Sequence, residues 1–138
     1  MISVKVQTKH EFDTALDGDV GFDIRASETV LLKPMATTTI PTDVRVELPY
    51  GVEAQVRPKS GLSSKGVLVH FGTVDTLYRG VIGVNITNLT GKDLLIEENQ
   101  KIAQLVFKRF ENVKIQLVDE IDTNTERGEN GFGSTGKF

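Results

Sequence analysis

The sequence contains no cysteine and no tryptophan, and it has only two histidines and five alanines. The absence of cysteine excludes disulfides, thiolate nucleophiles and cysteine-ligated metal sites. Two histidines are too few for a multi-histidine metal centre, and the scarcity of alanine disfavours a helical bundle. No apolar run reaches the length of a membrane span, and the residues after Met1 do not resemble a signal peptide. We therefore expect a cytoplasmic protein that does not enter a membrane.

The charge balance is slightly acidic, with 16 Lys and Arg against 19 Asp and Glu and a net charge of −3. A general nucleic-acid or membrane-surface binder would show a basic footprint, so this balance argues against both. The length of 138 residues is sufficient for one hydrophobic core and insufficient for two. We expect a single folded domain.

β-branched residues dominate the composition, with 16 valines, 9 isoleucines and 14 threonines. Apolar residues also alternate with polar ones, as at positions 44–48, 52–56 and 82–86. A period of two is typical of half-buried strands. Turn-forming residues separate these runs at 17–19, 33–34, 49–51 and 88–91. We predict about ten strands in an all-β sandwich, barrel or jelly roll.

Two segments depart from the strand pattern. Residues 60–65 predict the one short helix, with Ser60 as its capping residue. After Val118 the chain becomes polar, and residues 127–136 contain four glycines. We therefore divide the chain into a β domain, 1–118, and a Gly-rich C-terminal tail, 119–138. Such a tail is either a frayed terminus or a loop whose backbone N–H groups approach a phosphate.

Residues 72–80 (GTVDTLYRG) contain the strongest candidate for chemistry, because an acid, an aromatic and glycines occupy one predicted turn. Asp75 and Tyr78 are also consistent with an ordinary hairpin. A Ser–His–Asp triad with His10 or His70 lacks the G-x-S-x-G elbow, and neither common nucleotide-binding glycine loop occurs. Lys59 and Ser60 begin the predicted helix, where backbone N–H groups favour anions.

Taken together, five segments resemble the five motifs of the homotrimeric dUTPases, in the same order and across nearly the whole chain. They are residues 19–26 (DVGFDIRA), 58–65 (PKSGLSSK), 72–80 (GTVDTLYRG), 99–106 (NQKIAQLV) and 127–136 (RGENGFGSTG). The resemblance implies a β jelly roll or distorted barrel with one short helix and a flexible Gly-rich tail. It also implies a homotrimer that uses Mg²⁺ to hydrolyse dUTP to dUMP and pyrophosphate, at sites shared between subunits.

The resemblance assigns roles to individual residues. Asp75 would activate the attacking water, which needs an acceptor for its proton. Asp23 would orient Mg²⁺ through a bound water. The residues implied to bind substrate are Lys59, Ser60, Gly61 and Gln104 at the phosphates, Thr73, Val74, Tyr78 and Gly83 at the nucleoside, and Arg127, Phe132, Gly133, Ser134 and Thr135 in the closing tail.

Several positions depart from the family pattern and suggest a divergent member, such as a phage-type enzyme. Lys59 replaces the usual Arg of the second motif, and a Lys cannot form a bidentate fork on phosphate. Leu77 replaces a second acid, while Asn99 and Lys101 replace the usual Gly and Arg. The hairpin expected between Lys65 and Asp75 is short, which places Val69 or His70 near the uracil end.

Two alternatives remain from the sequence. A dCTP deaminase shares the fold, but it needs a Glu in the strand after the third motif, and residues 81–88 contain no acid. The second alternative is a dUTPase scaffold that acts mainly through a regulatory protein partner, with weak hydrolysis.

Overall fold

The structure is a computed structural model that describes residues 1–12 and 16–138. These residues form eleven strands and one short helix, which confirms the expected all-β class. In chain order they are β1 (Lys5–Gln7), β2 (Gly21–Arg25), β3 (Val30–Leu32), β4 (Thr37–Pro41), β5 (Arg45–Glu47), β6 (Val52–Arg57), α1 (Ser60–Ser63), β7 (Val67–Val69), β8 (Gly72–Val74), β9 (Gly83–Asn88), β10 (Leu94–Ile96) and β11 (Lys101–Arg109). No helix in the described ranges is long and apolar enough to cross a membrane.

Two antiparallel sheets form the body of the jelly roll. The larger sheet has the strand order β2-β11-β6-β8, and the smaller has the order β4-β9-β7. Two ribbons, β1-β5 and β10-β3, complete the fold. The alternation in β6 is a clear example of the expected pattern: Val52, Ala54 and Val56 are buried, and the residues between them are half-buried. Burial of one face of each strand is what holds the sheets together.

The helix is shorter than expected, and its start differs from the prediction. Ser60 is the first helical residue and not the cap; Lys59 occupies the cap position and makes no side-chain capping hydrogen bond. The capping role expected for Ser60 was therefore wrong. The helix places Lys59 directly after β6, and Leu62 is its buried residue.

The expected hairpin between Lys65 and Asp75 is also wrong. β7 pairs with β9 in the smaller sheet, whereas β8 pairs with β6 in the larger sheet. The chain therefore crosses between sheets at His70 and Phe71. The His70 Nε2 lies 2.8 Å from the Oγ1 of Thr87 on β9, and the His70 amide donates a hydrogen bond to the Asn85 carbonyl of the same strand.

Beyond β11 the chain runs to Phe138 without helix or strand, and nearly all of its residues are exposed. Val113, Ile115 and Leu117 are among the exposed apolar residues of this segment. They alternate as strand residues do, yet no strand among the described residues lies opposite them. Residues 111–138 thus form an exposed segment that follows the last strand.

Candidate functional site

A cavity of about 690 Å³ lies over one end of the larger sheet. Its polar lining includes Asp23, Lys59, Lys101 and Gln104, which come from three of the segments compared above. β11 lies between β2 and β6, and Gln104 is directly opposite Asp23. The Gln104 side-chain amide also donates a hydrogen bond of 3.0 Å to the Pro58 carbonyl. Strand pairing thus brings distant parts of the sequence to one face.

A β-bulge explains how Lys101 joins this group. The register shifts between Lys101 and Ala103, so that Ile102 and Ala103 are both fully buried. An extra residue in one strand changes which side of the sheet the following residues occupy. Lys101 consequently lies opposite Arg25 and on the same face as Gln104. Strict alternation would place Lys101 and Gln104, three residues apart, on opposite faces; the sequence identified Lys101 only as a replacement for the usual Arg of the fourth motif and gave it no role.

Asp23 is held between two cations. Lys59 donates a hydrogen bond to its Oδ1, and the Lys101 Nζ lies 3.2 Å from its Oδ2. Partial burial by itself raises the pKa of Asp23. The hydrogen bonds and charges of Lys59 and Lys101 outweigh that effect, and the pKa falls below its ordinary value of 3.8. The carboxylate therefore stays ionised at neutral pH.

Beside this cluster, Gly21 is a glycine because no side chain fits at its position. A Cβ at this position would collide with the side chain of Gln104. The glycine lets the amide of Gln104 lie against β2 and reach Pro58. Ser60 and Gly61 follow Lys59 in α1, but they are not among the described residues that line the cavity.

A second cavity, of about 200 Å³, lies where β8 leads into β9. Its lining includes Thr73, Val74, Asp75, Tyr78 and Gly83. The resemblance to the dUTPases implied that these five residues lie together. Asp75 and Tyr78 belong to a connection of eight residues, named here the 75–82 loop, which contains no strand or helix. Val69 and His70, which the sequence placed near the uracil end of the site, are not among the described residues that line this cavity.

Hydrogen bonds hold the 75–82 loop near its start, and the Tyr78 ring packs over Gly80 within it. The Thr76 hydroxyl donates a 2.7 Å hydrogen bond to the Val52 carbonyl, which fixes the residue next to Asp75. The Tyr78 hydroxyl donates to the Val81 carbonyl at 3.0 Å. A Cβ at Gly80 would collide with the Tyr78 ring, so this glycine allows the ring to lie across the loop. Tyr78 therefore has a defined orientation at the cavity.

Asp75 and Lys59 lie toward opposite ends of β6, although the lining of the second cavity reaches Val56. Val74 pairs with Ala54, so Asp75 follows at the level of Glu53, near the start of the strand. From Glu53 to Arg57 the strand extends about 13 Å, at roughly 3.3 Å per residue. Lys59 lies two residues beyond Arg57. Asp75 and Lys59 of one chain are therefore too far apart to belong to the same compact site.

The tail residues form local turns and reach neither cavity. Arg127 Nε donates to the Asn130 carbonyl at 2.9 Å, and the Ser134 amide donates to the Gly131 carbonyl. Phe132 is fully exposed and, like Gly133, has a positive φ. Thr135 is also exposed. These residues are not brought together with Asp75 or Asp23 in this chain.

Comparison with known proteins gives consistent matches along the chain. The dUTPase family model matches residues 7–136. The deoxyuridine 5'-triphosphate nucleotidohydrolase of Clostridium novyi is 46% identical over 125 residues, which cover 88% of this chain and 87% of that protein. The corresponding protein of Orientia tsutsugamushi (strain Boryong) is 40% identical over 147 residues, covering 98% and 99%.

Solved structures show the same architecture. A variant of the Staphylococcus bacteriophage 80alpha dUTPase with dUpNHpp superimposes with a TM-score of 0.87 and 29% identity, covering 98% of this chain and 99% of that one. A variant of the dUTPase from phage phi11 of S. aureus, described with a structural Mg(II) ion, gives a TM-score of 0.77 and 27% identity, covering 86% and 97%.

Proposed function

The chain belongs to the dUTPase family and is a dUTP diphosphatase, and we propose that it hydrolyses dUTP at sites built from both cavities. The observation that supports this proposal is the division of chemistry between them. One cavity offers a carboxylate, a tyrosine ring and exposed backbone, as a nucleoside and an attacking water require. The other offers two ammonium groups and an amide beside three carboxylates, as a phosphate chain that binds together with Mg²⁺ requires.

The second cavity binds the nucleoside in this proposal. The backbone of Thr73, Val74 and Gly83 reads the edge of uracil through N–H and C=O groups. A site built to hydrogen-bond one base strongly rejects bases that leave those groups unpaired. The Tyr78 ring lies against the deoxyribose and leaves no room for a 2′-hydroxyl. The small volume, about 200 Å³, favours this close fit.

Asp75 is the general base of the proposed reaction. It is exposed at the cavity, where a water can reach it, and Thr76 anchors the backbone beside it. Its carboxylate orients this water and takes its proton as the oxygen attacks the α-phosphorus. The bond from that phosphorus to the bridging oxygen breaks, and pyrophosphate leaves with dUMP as the other product.

The first cavity binds the phosphates. Lys59 and Gln104 donate to phosphate oxygens, and Ser60 and Gly61 contribute hydroxyl and backbone donors from the start of α1. Because Lys59 is bonded to Asp23 in this structure, phosphate binding requires Lys59 to exchange a carboxylate for a phosphate partner. Lys101 remains within reach of Asp23 and compensates its charge.

Mg²⁺ fits this donor set as an ion held mainly by substrate. The ion usually keeps several waters and binds through one or two carboxylates together with phosphates. Within the described ranges no group of three or more acidic or His side chains forms a metal cage. Asp23 is suited to hold the ion through a bound water. When bound, Mg²⁺ neutralises phosphate charge and stabilises the pyrophosphate leaving group.

The separation along β6 supports a site shared between subunits. A nucleotide on Asp75 and Tyr78 finds its phosphate partners in the first cavity of another copy, and a closed homotrimer supplies three such sites. The exposed apolar residues Val113, Ile115 and Leu117, which precede the tail, favour docking of their segment on a neighbouring subunit. We place the jelly-roll domain at 1–118 and the closing tail at 119–138.

The tail closes the site in this proposal. Arg127, Ser134 and Thr135 bind the terminal phosphates, Gly133 allows the backbone to approach them, and Phe132 stacks on uracil. The full exposure of Phe132 is consistent with a ring that packs only against ligand or another subunit. A closed tail excludes water other than the one held by Asp75.

The proposal is tested by measuring pyrophosphate release from dUTP, UTP, dTTP and dCTP in parallel, with and without Mg²⁺. We expect Mg²⁺-dependent release from dUTP and little from the other three. Equal turnover of UTP and dUTP would contradict the role of Tyr78. Ammonia release from dCTP would instead identify a deaminase.

A further inference from the structure

The middle of the 75–82 loop is held by side chains. In the described chain, the carbonyls of Tyr78, Arg79 and Val81 accept hydrogen bonds from side chains and none from a backbone amide. Arg79 Nη1 folds back to the Tyr78 carbonyl at 3.1 Å and to the Thr76 carbonyl at 2.7 Å. These bonds close the loop on itself but do not attach its middle to the body of the domain.

The attachment comes from Arg45 on β5. Its Nη1 donates a 3.0 Å hydrogen bond to the carbonyl of Arg79, the residue directly after Tyr78. Among the described residues outside the loop, only Arg45 donates a hydrogen bond to a backbone carbonyl of residues 78–81. The ends of the loop are fixed separately, at Thr76 by Val52 and at Ile82 by Val44.

We propose that Arg45 is a positioning residue for sugar discrimination: it holds the backbone beside Tyr78 and thereby keeps the ring against the deoxyribose. The inference rests on the proposed role of Tyr78 in dUTP hydrolysis. A guanidinium is always charged, and its hydrogen bond to a carbonyl is stronger than a neutral one. Arg45 lies in a sequence that matches none of the five motifs.

This arrangement predicts that loss of Arg45 affects the preference for dUTP over UTP and the rate of hydrolysis to different extents. Without Arg45 the middle of the loop gains freedom, and the Tyr78 ring has room to move away from a 2′-hydroxyl. Asp75 is affected less, because the Thr76 bond to Val52 anchors it independently. Loss of Arg45 therefore reduces the preference for dUTP over UTP more than it reduces kcat with dUTP.

The test uses full-length Arg45→Met and Arg45→Gln, neither of which reaches the Arg79 carbonyl. The matched control is Lys5→Met, which removes a cation from the same β1-β5 ribbon, where Lys5 pairs with Glu47 at 3.3 Å. We expect the ratio of kcat/KM for dUTP to kcat/KM for UTP to fall roughly two- to tenfold in both Arg45 variants. This range corresponds to the loss of one hydrogen bond. We expect no change in the control.

Hydrogen–deuterium exchange provides a second readout that does not depend on activity. Amides of the 75–82 loop should exchange faster in both Arg45 variants and at the original rate in Lys5→Met. An unchanged nucleotide ratio and unchanged exchange in either Arg45 variant would overturn the assignment, as would an equal effect in the control. Failure of the unaltered protein to hydrolyse dUTP would contradict the proposed function itself, and loop exchange would still report on Arg45.

Discussion

Lys59 donates a hydrogen bond to Asp23 Oδ1, so the proposed phosphate ligand and the proposed partner of the metal-bound water contact each other. Lys101 approaches the other carboxylate oxygen at 3.2 Å. The three side chains form one charge cluster with a net charge of +1. Glu11 and Asp19 also line this cavity, so a triphosphate that enters it must separate Lys59 from Asp23 and needs Mg²⁺ to offset the remaining carboxylates.

The cluster predicts a change in the titration of Asp23. Its pKa in the folded protein is below 3.8, so its stabilising contribution is present above that pH and is lost as the pH falls through the lowered value. Lys101→Met should raise the pKa of Asp23 towards its ordinary value. Carboxyl NMR titration measures this, with Lys33→Met, which breaks the distant Lys33–Asp93 pair, as control. An unchanged titration of Asp23 would contradict the cluster.

Lys59 variants test the first cavity as the phosphate site. Lys59→Ala removes a cation and should weaken dUTP binding and lower kcat. Lys59→Arg keeps the charge and adds a planar fork that suits phosphate, so we expect activity equal to or above the original. Steady-state kinetics with dUTP measures both variants. If neither substitution alters KM or kcat, the lysine does not contact the nucleotide.

Asp75→Asn tests the general base. The side chain keeps its size and loses its basicity, so kcat should fall roughly hundred- to ten-thousandfold while nucleotide binding persists. Asp93→Asn is the matched control, because Asp93 is an exposed carboxylate paired with Lys33. We expect the control to retain full activity. A similar kcat in both variants would leave Asp75 as a turn residue only.

Gly83 tests the packing of the second cavity through its neighbour on β4. A Cβ at Gly83 would lie 2.7 Å from Cγ2 of Thr39, which is too close for an unmoved side chain. Gly83→Ala should therefore reduce stability by about 1–3 kcal/mol and weaken dUTP binding. Thr39→Ser removes that methyl and keeps the hydroxyl, so the double variant should recover stability. Denaturant unfolding measures the cycle, and strictly additive losses would contradict direct contact.

Local patterning was sufficient to predict much of the strand content. The alternation at Val52, Ala54 and Val56 predicted β6 and its buried face, and both were confirmed. Strand pairing was not predictable in the same way, because neighbours in sequence need not pair. β7 and β8 are consecutive yet belong to different sheets, and the short apolar segments that form them do not encode which partner each will choose.

The residues that line each cavity were predictable where a motif contained them, and they were not predictable where tertiary structure brought them together. Asp75, Tyr78 and Gly83 line one cavity, as the resemblance to the dUTPases implied. Lys101 joins Asp23 through a bulge that interrupts the alternation, and no periodic pattern reveals such a shift. Arg45 contacts the loop across a sequence separation of 34 residues, so it could be found only from coordinates.

The central claim, a site shared between subunits, is tested most directly by mixing two inactive proteins. One is Asp75→Asn, and the other is truncated before Arg127. Each alone should be nearly inactive, the first without its base and the second without its closing tail. Co-refolding lets the subunits form mixed trimers, whose composition is verified by native mass spectrometry.

If Asp75 and the closing tail of each site come from different chains, equal random mixing should restore about a quarter of the activity of unaltered trimers, because each site needs one particular pair of subunits. Activity that stays near zero in verified mixed trimers would place both elements in one chain and contradict the shared site.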